Sequence, residues 1–245
     1  MDKMNKLYQH AKFYNDKNLG FDLKLDYYAY KTYKKFFVGE NCLELGPSSG
    51  YMTKYLIKDF KHVTVVEGAK ELIEKIPDYP NIKKIYCLFE KFETSEKFDT
   101  IIRNHVLEHI EDPVFVLKKL KNYLSENGRL IVGVPNANSL HRLAAVKIGL
   151  LSSQYELNER DKSLGHYRVY DESLLRKHLE ESGFYIEHAG GIFLKFLSNK
   201  QIEEFLDEKI LDAYYELNDL MSQFCALIYM ICSQPLKRGK SRKNR

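Results

Sequence analysis

The chain has 245 residues, 44% hydrophobic and 29% charged, a globular composition that excludes disorder over most of its length and suffices for one large core. Its net charge of +4 is unevenly placed: residues 236–245 hold six Lys/Arg and no acid, so residues 1–235 net −2. No apolar run reaches the roughly 18 residues of a bilayer span, residues 1–6 lack a signal-peptide core, and Cys42, Cys87, Cys225 and Cys232 form no C-x-x-C pair, so a cytoplasmic protein without a metal site is expected.

In chain order, residues 1–38 come first, an aromatic-rich N-terminal cap with ten Tyr/Phe. The spacing from Tyr27 to Phe37 predicts a helix packed on a sheet. A lid over a ligand is the sharper alternative, and Tyr14 is assigned to the acceptor. Strand-length apolar runs follow at 41–45, 62–66, 82–88, 98–103 and 129–134, mostly apolar on consecutive positions, as strands covered on both faces should be. Between them, 51–60, 69–76 and 113–124 repeat apolar residues at helical spacing. Asp112-Pro113 should cap the third of these, and Asn127-Gly128 should close it before the fifth strand. The alternation predicts an α/β fold with a parallel sheet between helices.

An acceptor-side insertion at 135–165 then interrupts the pattern, with an amphipathic piece at 140–151 and a polar stretch at 152–163; a connection this long is usually functional. A helix at 171–182, a strand at 184–189, a helix at 201–220 and a last strand at 224–232 complete a single domain, 1–235. The basic tail 236–245 is expected to be disordered.

The chemistry concentrates at Glu44-Leu45-Gly46-Pro47-Ser48-Ser49-Gly50, where the first strand turns into a helix. Glycines there allow a sharp turn and bring backbone N–H groups to a ligand at the carboxyl end of the sheet. Glu67 ends the second strand, 21 residues after Gly46, where an acid accepts hydrogen bonds from a ribose diol. The G-x-x-x-G spacing is neither the dinucleotide fingerprint nor a phosphate loop, so a nucleoside without pyrophosphate fits better.

These segments resemble the class I S-adenosylmethionine-dependent methyltransferases. Glu44–Gly50 is similar to their first motif, Val65-Val66-Glu67 to the second, Phe98–Ile102 with His105–Ile110 to the fourth, and Gly128–Val132 with Val134-Pro135-Asn136 to the fifth strand and its exit. The resemblance implies a Rossmann-like seven-stranded sheet in the order 3-2-1-4-5-7-6, the last strand antiparallel and helices on both faces. It implies S-adenosyl-L-methionine as cofactor, with S-adenosyl-L-homocysteine as product, held by Glu44, Gly46, Ser48, Gly50, Glu67, Leu88, Phe89 and Asn104. Ser48 replaces a usual glycine, and Leu88 replaces a frequent acid, which leaves Phe89 to stack on adenine.

Methyl transfer requires the nucleophile, methyl group and sulfur in line, and a base only when the nucleophile is protonated. Arg103-Asn104-His105, His141-Arg142 and His166-Tyr167-Arg168 follow strands four and five. His166 is the candidate general base, with His105, His141, Arg142 and Arg168 on the acceptor, while Glu108 and His109 are expected to cap and orient the next helix. Arginines there suit an anionic acceptor. The resemblance implies O-methylation of a small anionic acceptor, a nucleotide-linked sugar or a phosphate/phosphoramidate group, as in bacterial surface-polysaccharide (capsule) biosynthesis. RNA or quinone methylation and a non-catalytic cofactor-binding protein are the alternatives. No stable nucleic-acid partner and no membrane contact are expected, and a homodimer is left open.

Overall fold

The computed structural model describes residues 20–235; Tyr14, the rest of residues 1–19 and the basic run 236–245 lie outside them. The strands are β1 (Asn41–Leu45), β2 (His62–Glu67), β3 (Ile82–Tyr86), β4 (Phe98–Asn104), β5 (Leu124–Pro135), β6 (Tyr185–Ile192) and β7 (Leu227–Ser233). They form one sheet in the order β3-β2-β1-β4-β5-β7-β6. β7 runs antiparallel to both its neighbours, and the other pairings are parallel. The helices are α1 (Gly20–Tyr33), α2 (Thr53–Asp59), α3 (Lys70–Ile73), α4 (Pro113–Tyr123), α5 (Leu140–Lys147), α6 (Glu159–Ser163), α7 (Glu172–Glu181), α8 (Asn199–Phe205) and α9 (Glu208–Glu216). None is long and apolar enough to cross a membrane.

Both faces of the central strands are covered, which is why their sequences are continuously apolar. Successive side chains point to opposite faces. Leu43, Ile101 and Val132 accordingly join one core with Val116 and Leu120 of α4 and Leu175 and Leu179 of α7. Cys42, Ile102 and Ile131 join the other with Leu25, Tyr28 and Tyr33 of α1 and Leu56 of α2. Cys42, Cys225 and Cys232 are buried, Cys87 is half-buried, and all four are unbridged.

Several boundaries differ from the sequence expectation: the last strand, expected at 224–232, starts only at Leu227 after a 3-10 turn over Ser222–Phe224, and three others differ as well. The helix placed at 27–37 begins earlier, at Gly20, and gives way to a 3-10 turn over Lys34–Phe36. Asn127-Gly128 does not close α4, which ends at Tyr123. It lies inside β5, where the register with β4 shifts between Phe98 and Thr100. A Cβ on Gly128 would stand 2.9 Å from the Phe98 carbonyl oxygen, so glycine serves a close backbone approach within this bulge. The helix at 201–220 divides into α8 and α9 because the Asp207 side chain accepts from Ile210 N–H at 2.9 Å and starts a new helix.

Candidate active site

The parallel strands release their loops at one end of the sheet, and a cavity of about 270 Å³ lies there. On one side is the turn after β1. Gly46 and Gly50 have φ of 72° and 86°, and Ser48 between them has φ of 51°. A Cβ on Gly46 would come within 2.5 Å of Val106 Cγ2, so the turn needs glycine for space as well as conformation. The Ser48 and Ser49 hydroxyls are buried without a hydrogen-bond partner.

Glu67, at the end of β2, accepts from Ser48 N–H at 3.2 Å and Ala69 N–H at 2.9 Å. Burial nevertheless raises its carboxyl to about 7. Glu44 sits deeper on β1, where burial raises it to about 8 although the Thr53 hydroxyl donates to it at 2.6 Å. Leu88 and Phe89, after β3, form part of the same wall.

The far side of the cavity draws on four separated segments. From α1 comes half-buried Asp26, raised to about 6 by desolvation, which accepts from Asn104 Nδ2 at 3.1 Å. Asp22, one turn earlier, pairs with Arg160 of α6 at 2.6 Å and ties the cap helix to the insertion. After β4, His105 has a left-handed φ of 54°, and the 3-10 turn Leu107–His109 follows. Glu108 is buried there with neither carboxylate oxygen hydrogen-bonded, and His105 Nδ1 stands 3.6 Å away. Burial alone would raise its carboxyl; the His105 contact and the His109 and His166 imidazoles outweigh it and hold Glu108 at about 2. His109 and His166 stack edge to face with centroids 4.6 Å apart. His166 Nδ1 meets Asp161 Oδ1 at 3.2 Å, and Arg142 Nη1 holds the other oxygen of Asp161 at 3.2 Å.

The third contribution is cationic. Lys195, after β6, is buried, which lowers its ammonium to about 8, and it donates to Asn199 Oδ1 at 2.5 Å. Beside it His141 has an unpartnered, buried Nδ1. Burial, then the charges of Lys195, Arg142 and Arg160, push His141 down to about 3, so its ring is neutral in a positive corner.

A family model described as a methyltransferase domain matches residues 22–189, more than half of the chain. The chain belongs to the class I S-adenosylmethionine-dependent methyltransferases. This methyltransferase is 25% identical over 137 residues to the malonyl-[acyl-carrier protein] O-methyltransferase of Halalkalibacterium halodurans, covering 49% of this chain and 51% of that protein. It is 26% identical over 165 residues to the ubiquinone biosynthesis O-methyltransferase of Xylella fastidiosa, covering 63% and 64%. The matched stretches thus span between a half and two thirds of these curated relatives. In fold, it is similar to a SAM-dependent methyltransferase from Thermotoga maritima, with a TM-score of 0.66 and 16% identity over 94% of this chain and all of that one.

The methyltransferase brings nearly all its sequence-predicted site residues to one cavity: Glu44, Gly46, Ser48, Glu67, Leu88, Phe89, Asn104, His105, His141, Arg142, His166 and Arg168 line it. Gly50 stands back from it and closes the turn, its N–H donating to Pro47 O at 2.8 Å. Arg168 and Arg142 reach the wall with their guanidinium groups committed. Arg168 donates to the carbonyls of Leu107, Ile110 and Glu111, and Arg142 to those of Gln154 and Glu156 and to Asp161. Both arginines therefore brace the wall. Glu108 and His109 do not cap α4: that work falls to Asp112, whose Oδ1 accepts from Phe115 N–H at 2.9 Å, because the chain turns once more before the helix begins.

Sequence reasoning missed Asp22, Asp26, Arg160 and Lys195 as site residues. They sit on segments without a motif. Arg103, fully buried, has its guanidinium carbon 5.5 Å from the ring centroid of Phe89, which lines the cavity.

Proposed function

We propose that this methyltransferase transfers a methyl group to a hydroxyl oxygen of a small acceptor that also carries an anionic group, of which a nucleotide-linked sugar is the class that fits. The observation that carries this reading is the division of the far side of the cavity. Lys195, Arg160 and neutral His141 make a positive corner, and the oriented imidazoles of His109 and His166 with ionised Glu108 make a proton-handling corner. The two relatives described above are named O-methyltransferases, while others similar to this chain are the N-methyltransferases of Eschscholzia californica and Papaver somniferum, so the choice of oxygen rests on the proton-handling corner.

Bound S-adenosylmethionine supplies an electrophilic methyl group on a sulfonium. The residues present suit it: Glu67 offers two oxygens to a ribose diol, Phe89 offers a ring face to adenine, and the Gly46–Ser48 turn offers close backbone and an orphan hydroxyl. Lys195 holds the acceptor's anionic group and fixes the hydroxyl in line. His166 takes the hydroxyl proton on Nε2, since Asp161 engages Nδ1 and orients the ring. A phosphate or phosphoramidate oxygen is already ionised and would leave this base without work, which favours the hydroxyl. A surface-polysaccharide precursor would supply both groups.

The test is transfer of labelled methyl to nucleotide-linked sugars, the matching free sugars and simple phosphate esters, with the modified atom located by mass spectrometry. The expected product is an O-methyl sugar, formed much faster from the nucleotide-linked form. Equal rates with free sugars, or methyl found on phosphate or nitrogen, would overturn the proposal. His166→Asn should lower kcat at least ~100-fold without altering cofactor affinity.

A further inference from the structure

We propose that Glu108, His109 and His166 form a binding site for a divalent transition-metal cation at the floor of the acceptor cavity. Their ligand atoms all lie within 4.8 Å of one another. Three features of the surroundings point to a cation rather than to a chance meeting of polar side chains.

Both imidazoles have their Nδ1 engaged by an oxygen that only accepts. His109 Nδ1 lies 3.1 Å from the Leu164 carbonyl, and His166 Nδ1 lies 3.2 Å from Asp161 Oδ1. Metal-binding histidines are held and oriented in this way, by a carbonyl or carboxylate on one ring nitrogen. Glu108 supplies the carboxylate. It is 1% exposed, neither of its oxygens has a hydrogen-bond donor, and the nearest cationic group is His105 Nδ1 at 3.6 Å. A carboxyl group buried without a donor is costly, and a coordinated cation would offset the cost. The supporting contacts are themselves built: Asp161 is fixed by Arg142 and by the capping box it shares with Asn158, while Tyr167 N–H donates to the Glu108 backbone carbonyl at 2.8 Å.

The donor set selects the ion class. Two imidazoles and one carboxylate suit Mn²⁺, Fe²⁺, Co²⁺ or Zn²⁺, whereas Ca²⁺ requires six to eight oxygens. All three side chains line the cavity, so the remaining coordination positions would face the acceptor. This deepens the hydroxyl-acceptor reading and rests on it for its purpose, though not for the site itself. A cation there would bind the acceptor hydroxyl and make it more acidic. The O–H bond then breaks with its proton passing to water, the oxygen–methyl bond forms, the methyl–sulfur bond breaks, and sulfur leaves as a neutral thioether. In that state His166 serves as a ligand, and the cation replaces it in activating the hydroxyl.

The experiment uses the chelator-treated full chain and Mn²⁺ alone, with no cofactor or acceptor. Binding is followed by loss of the free-ion paramagnetic resonance signal and by thermal unfolding. We expect saturable one-to-one binding that raises Tm. Affinity should fall at least ~10-fold in the folded variants His166→Ala and Glu108→Gln, and ~10–100-fold in Asp161→Asn, which keeps all three ligands. Absence of one-to-one binding, or affinity unchanged in His166→Ala, would overturn the proposal. Either result would leave methyl transfer to a hydroxyl standing, because that is read from products.

Discussion

Replacing Glu67 with Gln changes one oxygen to an amide at nearly constant volume and tests the ribose assignment directly. The carboxylate accepts from Ser48 N–H and Ala69 N–H, and a bound ribose diol would add two O–H donors. The amide keeps one acceptor oxygen, so at least one charge-assisted bond to the ribose is lost, about 1.5–3 kcal/mol or roughly 10- to 150-fold in Kd. The pH dependence is the sharper part. Because burial places the carboxyl at about 7, it is charged at pH 8 and mostly protonated at pH 6. If the charged form binds, wild-type affinity falls about tenfold over that interval while Glu67→Gln stays level. Calorimetric titration with S-adenosylhomocysteine at both pH values measures this. Stability should respond oppositely. The folded pKa lies above the ordinary 4.5, so the contribution of Glu67 to the ligand-free fold is complete below about 4.5 and lost as pH rises through about 7. The variant should lack that loss. An unchanged Kd, or a gap between the proteins that does not narrow toward pH 6, would refute the assignment.

Other consequences follow from the same geometry. Lys195 carries its charge only below about 8, so KM for an anionic acceptor should rise above that pH, approaching tenfold per unit, whereas Lys195→Met should show a high, flat KM in steady-state assays. Gly46→Ala places a Cβ in a left-handed conformation and against Val106, and should cost at least ~1–2 kcal/mol, lowering Tm by about 2–8 °C in a thermal scan. Adding Val106→Ala should recover only the steric part. Arg168→Ala removes the guanidinium from three carbonyl oxygens, of which Leu107 O keeps Ile110 N–H, and should lose ~1–3 kcal/mol in urea unfolding; a loss under ~0.5 kcal/mol would show that the brace carries no weight.

The sequence was most informative where structure is local. Strands covered on both faces read as apolar runs, and the Gly46 turn with Glu67 lies within one strand–helix–strand unit, so one wall of the candidate site was legible before any contact was known. The far wall of the cavity is a product of tertiary folding: Asp22 meets Arg160 across 138 residues, and His109 meets the Leu164 carbonyl across 55. Charge was the misleading signal. Arg142 and Arg168 looked like anion clamps because a sequence shows that a guanidinium exists, not that five carbonyls and an aspartate claim the two of them. Lys195 carries no motif, yet it lines the cavity with its ammonium bonded only to the Asn199 amide oxygen, which makes it the proposed partner for an anion. In this cavity a residue's availability follows from its unmet hydrogen bonds. By that measure the orphan carboxylate of Glu108 and the bare Nδ1 of His141 are better candidates for an acceptor contact than Arg142 or Arg168.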